Sequence, residues 1–396
     1  MIVKDEASNL RRIFDSVLPY ISTYCICDTG STDGTPDLIK AYFDEKGVVG
    51  EVLHHKWKDF GHNHTLASKA AFGKADFILT MDADDYFEGT PDFSQLENGT
   101  VYNVKLGCET DFYYRPLLYP GDLEAYWVGP LHEYMTWDDQ TIPKDHLPGQ
   151  YVVTSYRDGS RQKEDTDKLA RDSGLLLQAI EDENGPIDRN TFYLANTYRD
   201  HQLYEEALKW YKKRIALKGW VEEVFISGLR AANCYDCLGE KEKAIYSYIQ
   251  AANYYPIRAL EALHPVMEHY RSIGLYDSAY VFGMQAFFMP STLFVKGSKN
   301  YVDSKHCELF VTNSIYDWKY FDELSVISSW LMPTQYELSI LLSQLALQSI
   351  HMQDHERDRI EKNISFLEKR IKQTDKKEIP RGILDSIKEM KAYSTI

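Results

Sequence analysis

Asp28-Thr29-Gly30-Ser31-Thr32-Asp33-Gly34-Thr35 and, about fifty residues later, Met81-Asp82-Ala83-Asp84-Asp85 each stand at the end of a short apolar run. The runs, Tyr24 to Ile26 and Phe77 to Met81, are closed off by turn residues, which is the pattern of buried β-strands. Both acidic motifs are therefore expected at strand C-termini. In an open α/β sheet the crevice beyond those ends is where ligands bind. Carboxylates gathered there make sense with a divalent cation, because Mg²⁺ and Mn²⁺ prefer oxygen ligands and commonly take one or two carboxylates plus substrate phosphates. The pattern predicts a site that binds and releases a nucleoside diphosphate.

Outward from these motifs, the first part of the chain alternates strands and helices. Ser8 is the expected N-cap of a helix through Leu10, Ile13, Phe14 and Val17, with Pro19 past its end. Thr35-Pro36 opens a second helix, Glu51 to His54 reads as a strand, and His62 to Gly73 as a helix before the strand that leads to Asp82. After about Lys163 the pattern is helical and repeats. Tyr204-Glu-Glu-Ala207, Lys241-Glu-Lys-Ala244 and Tyr276-Asp-Ser-Ala279 superimpose, Gly239 and Gly274 sit at matching turns, and Pro256 and Pro290 close matching helices. A period of 34 to 35 residues with small residues at helix crossings resembles the tetratricopeptide repeat, whose helix pairs bury a core only by stacking. The expected organisation is an α/β domain over 1–160, helical repeats over 161–300 and capping helices over 301–396.

Composition narrows the function. Over 396 residues, 44 Lys and Arg against 60 Asp and Glu give a net charge of −16 and a pI near 5.2, which repels nucleic acid and anionic lipid. No apolar run is long enough to span a bilayer and no signal core follows Met1, so the expectation is a soluble, cytoplasmic chain. The six cysteines show no disulfide framework, and Cys234-Tyr-Asp-Cys237 falls mid-helix, outside the βαβ context of a thiol oxidoreductase.

The motifs resemble those of a family 2 glycosyltransferase of the GT-A fold (nucleotide-diphospho-sugar transferase) with C-terminal tetratricopeptide-like repeats. The resemblance rests on Met1-Ile2-Val3-Lys4-Asp5-Glu6, the Asp28 to Thr35 motif, Trp57 to Asn63, Met81 to Asp85, Gly129-Pro130-Leu131-His132-Glu133 and the repeat half. It implies that Asp82-Ala83-Asp84 is the metal motif, with Asp84 on Mn²⁺ or Mg²⁺, Asp82 on the ribose or a metal-bound water, and Asp85 near the donor sugar. Asp28, Asp5 and Glu6 would face the base and ribose. Asn63 and His64 would close over the diphosphate. This chain has His64 where the family usually has Arg, and a histidine carries full charge only at lower pH. Glu133 would be the base that takes the acceptor's proton and His132 a further metal ligand or phosphate contact, with the opposite assignment of these two, or Asp111 or Asp138 as the base, as alternatives. Tyr126 and Trp127 are either a sugar platform or core. The family's first strand begins several residues before the position of Met1 here.

The implied activity is metal-dependent, inverting transfer of a hexose or N-acetylhexosamine from a nucleotide sugar, most simply a UDP-sugar, to a hydroxyl of a glycan or protein. The repeats would bind the acceptor, a partner or a second copy. A different class is a repeat adaptor with a catalytically weakened nucleotide-sugar domain. A nucleotidyltransferase is a third, but its Gly-rich basic loop has no counterpart in the acidic Lys4-Asp5-Glu6-Ala7-Ser8.

Overall fold

The computed structural model describes residues 1–108, 112–155, 168–288, 309–331, 335–371, 383–385 and 387. The chain divides into two compact units, Met1–His201 and Gln202–Ile396. Pro290 and Asp111 lie outside the described residues.

In the first unit, β1 (Ile2–Val3), β2 (Tyr24–Asp28) and β3 (Gly50–His54) form a parallel sheet in that order. Helix α1 (Leu10–Val17) buries Leu10, Ile13, Phe14 and Val17, the i, i+3, i+4, i+7 stripe of a core-facing helix. Its N-cap is Asn9, not Ser8. The Asn9 side chain makes no capping bond because it accepts from the Ser8 hydroxyl at 3.2 Å and donates to Glu6 at 2.8 Å. Helix α2 (Thr35–Lys46) adds Phe43, which stacks on Tyr24 at 4.1 Å and packs against Phe14 at 4.7 Å. Helix α3 (Phe60–Ala71) starts before the expected His62, because the Asp59 carboxylate caps the His62 amide at 2.7 Å.

The strand before Asp82, β4 (Phe77–Leu79), joins a second, mixed sheet with β5 (Asp85–Pro91), β6 (Val101–Gly107), β7 (Phe112–Pro120), β10 (Lys144–His146) and β11 (Gly149–Ser155). Its order is β4-β7-β6-β11-β5, with β10 on β6, and β4 runs antiparallel to β7. A two-residue β1 offers little ladder for β4 to join, so among the described residues the alternating α/β pattern is divided between two sheets. Strands β8 (Tyr126–Val128) and β9 (Tyr134–Thr136) form a hairpin. Helices α4 (Lys168–Glu181) and α5 (Ile187–Asp200) also belong to this unit, so the boundary between compact units falls at 201/202 where the sequence pattern places it at 160/161.

The second unit holds α6 (Tyr204–Leu217), α7 (Val221–Cys237), α8 (Lys241–Tyr254), α9 (Ala259–Ser272) and α10 (Tyr276–Phe288), each packed on the next in sequence. The three superimposable segments open α6, α8 and α10, and Ala207, Ala244 and Ala279 are each fully buried, where a larger side chain would hold the helices apart. Gly239 and Gly274 share the left-handed φ of +77° that ends α7 and α9. Helices α11 (Tyr320–Ser329), α12 (Tyr336–Ala346) and α13 (Asp354–Ile371) follow. Among the described residues no helix is long and apolar enough to cross a membrane.

Candidate active site

Asp28 is the last residue of β2, beside Val3 on one side and His54 on the other, and only 3% exposed. Its carboxylate accepts from the Gly30 amide at 3.1 Å and the Ser31 amide at 3.2 Å, and His54 Nδ1 lies 3.2 Å away. Burial pushes its pKa up, but the Ser31 side chain first, and then the Gly30 amide, His54 and the Ser31 amide, outweigh burial and hold it below the usual carboxylate range. Asp5, at φ +54°, accepts from the Thr32 amide at 2.6 Å, while its own amide donates to Ser31 at 2.9 Å. The Glu6 amide donates to the Thr35 hydroxyl at 2.9 Å, and its buried carboxylate accepts from Asn9. The three acids expected at the nucleotide thus tie the ends of β1 and β2 and the Asp28 to Thr35 loop into one arrangement. Asn63, 1% exposed, does the same for the preceding loop, accepting from the Lys58 amide at 2.9 Å and donating to the Lys56 carbonyl at 3.2 Å.

The second motif bridges β4 and β5. Asp82 is exposed, Asp84 half-buried and Asp85 buried, while the Ala83 methyl is part of the hydrophobic core. Burial first, and then Asp82 and Asp84, push the Asp85 carboxyl up to about 8. Asp84 accepts from the Ser155 hydroxyl at 3.0 Å.

His64, from α3, reaches this motif. Its Nε2 lies 3.8 Å from Asp82 and 3.7 Å from Glu133, and its ring packs on Trp127 at 4.6 Å. It is 2% exposed with Nδ1 lacking a hydrogen-bond partner. Burial lowers its pKa to about 4 in spite of Asp82, so near neutral pH it is uncharged. His64 therefore does not replace the cation that an arginine would bring.

Glu133 is raised above the usual carboxylate range by burial and then by Asp82, with Arg115 pulling the other way. Arg115 is the residue the sequence reading misses. It lies half-buried on β7, in the field of Asp82, Glu133, Tyr113 and Asp85, and donates to the Glu133 carbonyl at 3.5 Å. Its pKa is raised although burial opposes this, because carboxylates surround it. The available signal is a lone arginine within Phe112-Tyr-Tyr-Arg-Pro-Leu-Leu-Tyr-Pro120.

His132 does not join Asp82 and Asp84. Among the described residues no group of three or more His, Cys, Asp or Glu side chains is arranged to hold a metal ion. His132 is exposed and stacks on Tyr193 of α5, with centroids 4.1 Å apart and rings 12° from parallel. The donor chemistry still fits one class of ion. Two accessible carboxylates beside a third that is buried and pushed towards its neutral form make a locally over-negative turn, which suits a cation completed by phosphates and water and not an all-protein cage. Asp138 is exposed and accepts from the Tyr126 hydroxyl at 3.1 Å. Trp127 is core, with its indole donating to Ser68 at 3.1 Å.

Residues 1–96 match the family described as Glycosyl transferase family 2. A TPR repeat-containing protein of Synechococcus elongatus is 41% identical over 86 residues, 22% of this chain and 19% of the relative, so the chain matches about a fifth of that protein's length. Among solved structures, BtubC of P. vanneervenii is similar at 12% identity and TM-score 0.35, covering 58% of this chain and 92% of its own. A thermophilic TPR protein of Thermus thermophilus is similar at 15% identity and TM-score 0.30, covering 50% and 92%. The repeat architecture rests on the chain's own period and helix packing. The match to glycosyl transferase family 2 thus falls within the α/β domain, which is followed by a tetratricopeptide-like helical half.

Proposed function

We propose that this protein is a metal-dependent inverting glycosyltransferase. In this reading it moves a hexose or N-acetylhexosamine from a nucleotide sugar, with UDP the expected nucleotide, to a hydroxyl of a glycan or protein. The observation that carries the reading is the meeting of Asp82, His64, Glu133 and Arg115 beside the Asp84 turn. Perturbed acids and bases gathered in one place mark working sites more often than structural ones.

Glu133 takes the proton of the attacking hydroxyl as the acceptor oxygen bonds to the anomeric carbon and the bond from that carbon to the diphosphate breaks. Its raised pKa makes it a stronger base than a solvated glutamate, and Arg115 favours its ionised form. Asp82 and Asp84 would hold Mn²⁺ or Mg²⁺ together with the diphosphate, and the bound ion would offset charge developing on the leaving group. Neutral His64 separates Asp82 from Glu133 and offers one hydrogen bond. Asp5, Glu6, Asp28 and Asn63 serve the nucleotide side through the loops they hold. The repeats are proposed to bind the acceptor, a protein partner or a second copy, and a cytoplasmic address is part of the same proposal.

A repeat adaptor with a weakened nucleotide-sugar domain is the second reading, favoured by the engagement of Asp5, Glu6 and Asp28 with protein atoms. Thermal stability against UDP and other nucleoside diphosphates, with and without Mn²⁺, separates the two. A ligand at a hundred times its Kd stabilises by about 2.7 kcal/mol. Stabilisation that needs both metal and Asp84, and disappears in Asp84→Ala, supports the transferase. No shift with any nucleotide favours the adaptor.

A further inference from the structure

We propose that Arg189 and Tyr193 on α5 are positioning residues for Glu133, so that the α4–α5 hairpin is a working part of the transfer site. The inference rests on the reading of Glu133 as the base. Between β8 and β9 the chain turns through Gly129-Pro130-Leu131-His132-Glu133, with His132 at φ +54°, a left-handed conformation that a side chain other than glycine adopts only when its surroundings impose it. Those surroundings come from α5. Arg189 donates to the His132 carbonyl twice, from Nε at 3.2 Å and Nη2 at 3.0 Å. Its guanidinium lies over the rings of Tyr134 at 5.0 Å and Tyr193 at 4.9 Å. Tyr193 in turn covers the His132 ring. A forked donor on one carbonyl, backed by aromatic faces, is an arrangement that lysine or a neutral side chain cannot reproduce.

The same turn is held from its other side. Gly61 of α3 lies so close that a Cβ there would meet the Gly129 carbonyl at 2.4 Å, and the Phe60 amide donates to the Pro130 carbonyl at 3.2 Å. From the hairpin, Gly185 approaches Gly129 closely enough that a Cβ would lie 3.4 Å from its Cα. Glu133 thus leaves a turn gripped between α3 and the α4–α5 hairpin, and its carboxylate comes to 3.7 Å from His64. A displacement of the turn of about 1 Å would misplace the base, an error that commonly lowers turnover by about a hundredfold.

The test uses the full chain with UDP-glucose and UDP-N-acetylglucosamine, following UDP release in Mn²⁺, and the His64 imidazole resonance assigned through His64→Gln. Arg189→Ala is expected to lower kcat about ten- to a hundredfold with donor KM and UDP-dependent stabilisation unchanged, and Arg189→Lys to recover part of that loss. In Arg189→Ala the His64 resonance is expected to move in the direction seen in Glu133→Gln. A resonance that stays at its wild-type position, or a loss divided between kcat, donor KM and UDP binding as general unfolding would give, overturns the proposal. If the wild type and Glu133→Gln release UDP equally slowly, the reading of Glu133 as base fails, while the resonance still reports whether Arg189 holds the turn.

Discussion

Two regions of the molecule, the Arg214 and Arg258 clusters of the repeat half and the surroundings of Glu133 in the α/β half, bury charge in opposite ways. In the repeat half, fully buried Arg258 is matched by Glu261 at 2.7 Å and Glu222 at 3.1 Å, and it also donates to the carbonyls of Leu309 and Phe310. Fully buried Arg214 donates to Glu223 at 3.0 Å and to the carbonyls of Lys218 and Trp220. In the α/β half, Asp85 and Glu133 are pushed towards their neutral forms and His64 is held neutral, with one ring nitrogen unpartnered. A charge with all its partners in place is architecture. A titratable group whose environment opposes its charge is unstable without a purpose, and a substrate or cation is the simplest source of what is missing.

The sharpest break in this comparison is Arg258→Ala, which leaves Glu222 and Glu261 buried without their cation. Removing one partner of such a pair is expected to destabilise by about 3–5 kcal/mol, read as a lower denaturation midpoint for the repeat half. The α/β half carries its counterpart in pH. The folded pKa of His64, about 4, is below its unfolded value, so its stabilising contribution is present above about pH 6.5 and is lost as pH falls through the folded value. The expected loss between those limits is on the order of 3 kcal/mol, and His64→Gln should flatten that part of the stability profile.

What the sequence reveals follows the range of each interaction. The repeat is legible because Ala207, Ala244 and Ala279, with the glycines that end α7 and α9, recur within single helix pairs, where spacing alone sets the contact. The acidic motifs are legible because a strand end and a turn are local. Arg115 and Arg189 are not, since Arg115 reaches Glu133 only after β7 has paired with β4 and β6, and Arg189 reaches the His132 carbonyl only after α5 has folded back. Nor does a polar residue announce its partner. Asp5, Glu6 and Asn63 look alike whether they meet a nucleotide or, as here, loop amides and a side-chain amide. His132 looks like a ligand until its ring is found on Tyr193.

If Glu133 is the base, Glu133→Gln should lower turnover at least about a hundredfold while leaving folding intact or slightly improved, because the amide removes a carboxylate that burial and Asp82 already disfavour. Turnover and denaturation midpoint measured on the same sample check both halves of that expectation. A fall in both would place Glu133 with the architectural charges of the repeats.

The smallest effect sharpens the comparison from the other side. Arg214→Met combined with Glu223→Leu removes a buried ion pair as a unit, replacing both partners with side chains of similar bulk. Such replacements are commonly neutral or stabilising, since neither charge is left stranded and the desolvation of both is avoided. The carbonyls of Lys218 and Trp220 lose a donor, but both residues are exposed and water can take its place. The double variant is therefore expected within about 1 kcal/mol of the parent, against a loss of several for Arg214→Ala alone. Equivalent treatment of His64 and Glu133 would preserve the fold and abolish transfer, which is the distinction between charge that holds a structure and charge that works in one.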